Sequence, residues 1–413
     1  MRLLAKSTIL LSFLAFNAQA QTSTRSVKAF SPIGKWRGTF EVKAGLEVPF
    51  NFEVTGGKNT EAKVFFINAE EKFEAGKIKI LDDSLFILID QFDNELAFKI
   101  NADRTLTGVL RKQDKSGTPI IVKAEQGTAR FKEATVKPVA DISGTYDIVF
   151  KGNNGKDEHA VGLFTQTDNK LRATFLRITG DSRYLDGVIE GNTFYLSSFI
   201  GSAPSYYKGT IADSGKLNGE VIFARDSQSF TGTANENAAL PDAYSLTYLK
   251  NGYSTLDFSF PDLNGNKVSP ADTKFKNKVV IVTIGGTWCP NCIDETGFLA
   301  PWYKKNKDRG VEVIALEYER QADPAYVNKT VGRFKQRFDI KYDVLVAGVA
   351  DKKSVAESLP ALNTFLSFPT TIFIDKTGKV TKIHTGFSGP ATGKYYDEFV
   401  KEFNDEVDEL LKK

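Results

Sequence analysis

The sequence predicts a multidomain chain with two all-β N-terminal units followed by an α/β domain. Three observations carry that prediction. Apolar residues alternate with period two over residues 31–134 and again over 141–233. Short segments of the two regions match each other. Beyond residue 251, apolar strands alternate with helical stretches, and both cysteines of the 413-residue chain, Cys289 and Cys292, fall there.

Residues 1–20 read as an export signal. Arg2 and Lys6 precede an apolar core from Ile9 to Phe16, and Ala18-Gln19-Ala20 is a small-x-small cleavage site. The apolar run is too short to span a bilayer. The residue after Ala20 is Gln21 and not a cysteine, so no lipid or other membrane anchor is expected. Removing Arg2 and Lys6 lowers the formal charge from +3 to 3 − 2 = +1. That balance argues against a nucleic-acid partner or a grip on anionic lipid.

In the first β-unit (31–134), Leu46, Val48, Phe50, Phe52 and Val54 alternate with polar neighbours, and Leu96, Phe98 and Ile100 repeat the pattern. Gly56-Gly57, Asp82-Asp83 and Asp114-Lys115-Ser116-Gly117 read as turns. Short strands at this spacing predict a sandwich or small barrel. In the second unit (141–233), Gly144-Thr145-Tyr146-Asp147-Ile148 matches Gly38-Thr39-Phe40-Glu41-Val42 at an offset of 144 − 38 = 106. Leu217-Asn218-Gly219-Glu220-Val221 matches Leu106-Thr107-Gly108-Val109-Leu110 at 217 − 106 = 111. The matches predict a duplicated unit, with Val136-Lys137-Pro138-Val139 between the copies.

Residues 234–251 are small and polar and read as a linker to a domain over 252–413. There Lys278–Ile284 and Val311–Leu316 are apolar strands, and Tyr342–Val346 is a short one. Ile293–Lys307 and Lys329–Phe338 are helical in pattern. Thr371–Ile374 and Val380–Ile383 form a hairpin about Lys376-Thr377-Gly378. Tyr396, Phe399, Val400, Phe403, Val407, Leu410 and Leu411 mark the face of a last amphipathic helix.

The two cysteines lie three apart in Gly286-Thr287-Trp288-Cys289-Pro290-Asn291-Cys292. A bridge across so short a loop adds little stability, so chemistry explains the pair better than stapling. A zinc site needs about four ligands. The chain has two Cys and two His, with His159 in the second β-unit, so no metal is expected. The strand over 278–284 leads into Cys289 at a helix start, where free N–H groups and the helix dipole favour a thiolate. Cys289 is the expected nucleophile, and Cys292, one turn on, the resolving thiol. Pro290 suits the first turn. Glu295 lies three past Cys292 on the same helix side and is a candidate acceptor of its proton. His384 reads as a packing or surface residue, and Lys304 and Lys305 as surface residues.

Those residues, with Phe368-Pro369-Thr370-Thr371-Ile372-Phe373-Ile374-Asp375 and the Gly378 turn, give residues from about Leu256 to Lys413 a resemblance. The segment resembles the TlpA-like thiol–disulfide oxidoreductase family, which has the thioredoxin fold. The β-units carry no such resemblance. The resemblance implies a cis Pro369 facing the cysteines, with the Phe368 backbone free to pair with a substrate chain. It also implies a docking groove shaped by Trp288, Pro290, Asn291, Phe368 and Pro369. Three positions depart from the family pattern: Gly285 where a bulky residue is common, Thr283 where thioredoxins bury an Asp, and Gly297 in place of a Pro. Gly285 should loosen the floor beneath Trp288, and Pro301 should kink the helix. The Pro-x-x-x-Thr-x-x-Cys pattern of peroxiredoxins is absent, which sets peroxidase action aside.

The expected function is disulfide exchange with thiol- or disulfide-bearing client proteins in the periplasm, as a reductant reset by a membrane thiol reductase. No cofactor is expected beyond the redox-active Cys289–Cys292 pair. A different reading makes the β-units a binding module for a protein, glycan or lipophilic ligand, with the α/β domain as accessory.

Overall fold

A computed structural model describes residues 30–57, 60–152, 155–224 and 226–413. The expected export signal, residues 1–20, lies outside the described residues.

Eight strands between Gly34 and Gln126 form a closed antiparallel barrel. Each pairs with the next, and Gly34–Lys43 closes the ring against Ile120–Gln126. Inward positions hold Trp36, Phe40, Phe50, Phe52 and Phe66, all fully buried. Closure removes the open sheet edges that eight short strands would otherwise leave.

The second unit repeats the meander. Gly144–Lys151 pairs with both Asp157–Thr167 and Ser227–Ala234, and Asp157–Thr167 pairs with Lys170–Arg177 to close eight strands. A two-residue strand, Gly180–Asp181, lengthens the hairpin that begins at Lys170–Arg177. The structure corrects one repeat register. Gly34 and Gly144 each open the first strand of their barrel, at φ of 127° and 126°, so the offset there is 144 − 34 = 110. Phe40 then matches Phe150, and both are fully buried. The local match at Gly38 was four residues out because a shared Gly-Thr pair outweighed the inward alternation.

The barrels are fused. Phe199 of the second inserts among Phe40, Phe50 and Phe66 of the first, with ring centroids 4.7, 5.2 and 4.6 Å away. Arg130, buried in the connection, donates to the Ser197 carbonyl (2.9 Å), Asn68 Oδ1 (3.1 Å) and the Ile67 carbonyl. Burial lowers its pKa to about 10.

The C-terminal domain holds a five-stranded sheet in the order Asp343–Val349, Val311–Glu319, Val279–Gly285, Thr370–Ile374, Val380–Thr385. The first three strands are parallel, and the last two run antiparallel to their neighbours. Helices α1 (Pro290–Asn306), α2 (Pro324–Arg337), α3 (Lys352–Ser358) and α4 (Lys394–Lys412) accompany it. Between α1 and α4, Phe298 and Trp302 meet Phe399 and Phe403 edge to face. Helix α3 carries no periodic signal over its seven residues. It is set by Asp351, whose side chain accepts from the Lys353 and Ser354 amides. Residues 234–251 are tied to the sheet domain, not slack: Lys250 N donates to Ala361 O, and Thr385 Oγ1 donates to buried Thr247 Oγ1. Among the described residues no helix is long and apolar enough to cross a membrane.

Candidate active site

The central strand Val279–Gly285 is buried along its whole length and delivers the chain to the sheet edge where α1 begins. Cys289 is the N-cap of α1, with extended backbone (φ −92°, ψ 120°), and Pro290 is the first helical residue. The Cys289 sulfur accepts from the Cys292 amide at 3.3 Å, so a helix N–H with no intrahelical partner points at this sulfur. Both cysteines are free thiols, 5% and 3% exposed. Across from them, the Phe368–Pro369 peptide is cis, and the Cys289 thiol donates to the Phe368 carbonyl at 3.5 Å. Trp288 stands edge-on to Phe368 (5.5 Å), donates Nε1–H to Tyr318 O at 2.9 Å, and lies under the Arg320 guanidinium, 5.1 Å from the ring. Pro290 and Asn291 are half-buried.

Behind the dithiol sit three buried carboxylates. Glu295 accepts from the Thr371 hydroxyl, and burial pushes its pKa up to about 7 despite that bond. Thr371 lies opposite Thr283 in the sheet, so the Glu295 carboxyl on the helix meets the sheet beside that position. Glu319 accepts from Thr287 N (2.9 Å) and Oγ1 (3.0 Å), and burial pushes it up to about 7. Glu317 lies beside Gly285 on the neighbouring strand, its Oε2 buried without a partner. A Cβ at Gly285 would stand 3.6 Å from Cys292 Sγ and 3.9 Å from Glu317 Oε2. Burial drives Glu317 well above the usual carboxylate range, and the charges of Glu319, Cys289 and Glu295 add to it. Burial and the Cys289 sulfur likewise raise the Cys292 thiol, with Glu295 and Glu317 contributing.

The sequence reading missed Glu317 and Glu319. Their signal was present: Val311–Glu319 is otherwise an apolar parallel strand, and it ends in two carboxylates two apart beside the dithiol loop. Buried charges at that end of a core strand require a partner or a role. Gly285 also needs correcting. It borders Cys292, not the Trp288 indole. Gly286 takes the place beneath the indole, where a Cβ would come within 2.6 Å of Tyr318 O. Helix α1 continues through Pro301. His384 is buried between the rings of Tyr244 and Phe399 (4.9 and 5.1 Å), and burial lowers its pKa to about 4.

Both barrels reach this site, which no pattern in the sequence announced. Gln91 of the first donates to the Thr287 carbonyl at 2.5 Å. Arg183 of the second donates to the Pro290 carbonyl (2.9 Å) and pairs with Asp294 on α1 and Glu71 of the first barrel. Burial still pushes Asp294 up to about 7 against the pull of Arg183.

A dithiol at a helix N-terminus, opposite a cis proline on a mixed sheet of this order, defines a thioredoxin-fold thiol–disulfide oxidoreductase. Residues 250–398 match the Redoxin family. The thiol-disulfide oxidoreductase ResA of Bacillus thuringiensis subsp. konkukian is 31% identical over 150 residues, 36% of this chain and 76% of that protein. ResA of Geobacillus kaustophilus is 30% identical over 135 residues, 33% of this chain and 69% of that one. A solved thioredoxin-family thiol:disulfide interchange protein from Chlorobium tepidum TLS covers 39% of this chain and 98% of its own, at 21% identity and a TM-score of 0.29. Through its C-terminal domain the chain belongs to the ResA-like thiol–disulfide oxidoreductase family.

Proposed function

We propose that this protein reduces disulfides of client proteins in the periplasm, using Cys289 and Cys292, and is reset by a membrane thiol reductase. The carrying observation is the Cys289 sulfur, held between the Cys292 amide and the carbonyl before cis Pro369. The Cys289 thiolate attacks a client sulfur, the client S–S bond breaks, and its second sulfur leaves as a thiolate. Cys292 then attacks Cys289, forming the Cys289–Cys292 bond and releasing the first client sulfur. Its proton passes to the Glu295 carboxylate behind it. On reset the flow reverses: an incoming thiolate opens the bond at Cys289, and the Cys292 sulfur takes a proton back.

Trp288, Pro290, Asn291, Phe368 and Pro369 form the surroundings in which the client chain lies. The export signal read in residues 1–20 supports the compartment, and the lack of any third thiol makes an external reductant necessary. The test is a Cys292→Ser trap expressed in an exporting host. Mixed disulfides on Cys289 with defined clients support the reading. A reactive Cys289 that captures no protein overturns it.

A further inference from the structure

The side of the dithiol where a client chain would lie is already roofed by the second barrel. One hairpin tip, Arg177–Asp181, touches all three loops around Cys289. The Thr179 carbonyl accepts from Ser367 Oγ at 2.8 Å, next to the cis bond. The Gly180 backbone presses on Asn291 so closely that a Cβ there would overlap its side-chain amide. The Ile178 carbonyl lies 2.5 Å from where a Cβ of Gly386, past the last strand, would stand. Asp181 Oδ2 accepts from Gly389 N at 2.6 Å, and buried Arg183 anchors the hairpin base to Asp294, Pro290 and Glu71. Beside the dithiol, the hairpin, the barrel wall and Pro290–Asn291 line a half-open pocket of about 290 Å³.

A space of that size holds a small molecule or a few residues of extended chain. It does not hold the convex surface of a folded domain. A folded client would have to displace the hairpin, breaking the Thr179 and Asp181 hydrogen bonds and straining the Arg183 pairs. We infer that the hairpin Arg177–Asp181 is a specificity-determining roof, which restricts exchange at Cys289 to disulfides carried on short, unfolded segments. This rests on the dithiol reading above. The chemistry is unchanged: Cys289 attacks one sulfur, the other leaves as a thiolate, and no further oxidant or reductant enters.

The test uses the full reduced chain and two measurements. Cys289 is labelled with a small maleimide and with the same maleimide on a polyethylene glycol chain, each rate divided by that on free cysteine. Exchange is then compared for one disulfide in an unfolded peptide and in a folded protein. The expected result is that the wild type disfavours the bulky reagent and the folded disulfide by about tenfold or more, since both must wait for a minor, open state of the roof. Gly180→Ala, which forces the tip off Asn291, should erase most of that difference while leaving small-maleimide labelling unchanged. Asp181→Ala, which frees the tip from Gly389, serves if the first variant does not fold. Equal normalised rates for both reagents in the wild type overturn the inference, as does a size ratio that neither variant moves. A preserved size ratio without exchange of either disulfide overturns the dithiol reading and leaves the roof supported.

Discussion

Arg183, in the second barrel, pairs with Asp294 in the second turn of the active-site helix, N–O 2.5 Å, and both are nearly buried. The same guanidinium holds Glu71 of the first barrel. One cation thus fastens three parts of the molecule at the edge of the dithiol. Breaking a buried pair leaves an uncompensated charge, which typically costs about 3–5 kcal/mol. Arg183→Met should lower the unfolding free energy by that order, read as a lower denaturant midpoint at unchanged m. Adding Asp294→Asn to it should recover part of the loss. Additive losses in the double variant would show that the two residues do not act as a pair.

Glu317 should control the proton of Cys292. Glu317→Gln keeps the shape and removes the acid. The pH profile of the resolving step, read as release of a client thiol from a Cys289 mixed disulfide, should move to lower pH, because one negative charge opposing the Cys292 thiolate is gone. Gly285→Ala should move the same profile with little loss of stability, since its methyl fits at ordinary contact distance between Cys292 and Glu317. Glu295, Glu319 and Tyr342 also face this space and stay in place in both variants. A profile that neither substitution shifts would remove Glu317 from the mechanism.

Glu295 makes the fold less stable as pH rises. Its folded pKa of about 7 lies above the usual 4.5. Between those values the native state holds a proton the unfolded chain has released, so stability falls with rising pH across that window. The shift corresponds to on the order of 3 kcal/mol. Glu295→Gln should match the wild type near pH 4 and exceed it at pH 8 by that order, measured by chemical denaturation at each pH.

His384 works in the opposite sense. Its folded pKa of about 4 lies below 6.5, so the unfolded chain binds the proton first. Its contribution is full above pH 6.5 and is lost as pH falls toward 4. His384→Phe, placed between Tyr244 and Phe399, should flatten the acid limb of the stability curve. An unchanged acid limb would show that His384 is not buried neutral.

Much of this protein was legible from local pattern. The period-two alternation at Val48, Phe50, Phe52 and Val54 placed an inward strand face, and the Cys289–Cys292 spacing placed a dithiol at a helix start. Both depend on residues near each other in the chain, where pattern and geometry are linked. The duplication was legible too, but its register was not: Gly34 and Gly144 became equivalent only once strand pairing fixed which residues face inward. Helix α3 escaped because seven residues hold too few turns to show a period.

The chemistry available was written in the order of residues: two thiols three apart and an acid one turn beyond the second, with the facing proline implied by the resemblance. What surrounds them came only with folding. Glu317 lies beside Gly285 because parallel pairing sets their two strands side by side. Thr179, Gly180 and Arg183, more than a hundred residues before the dithiol, cover it because two fused barrels pack against the sheet domain. Such contacts arise from packing between distant segments, and no spacing along the chain encodes them.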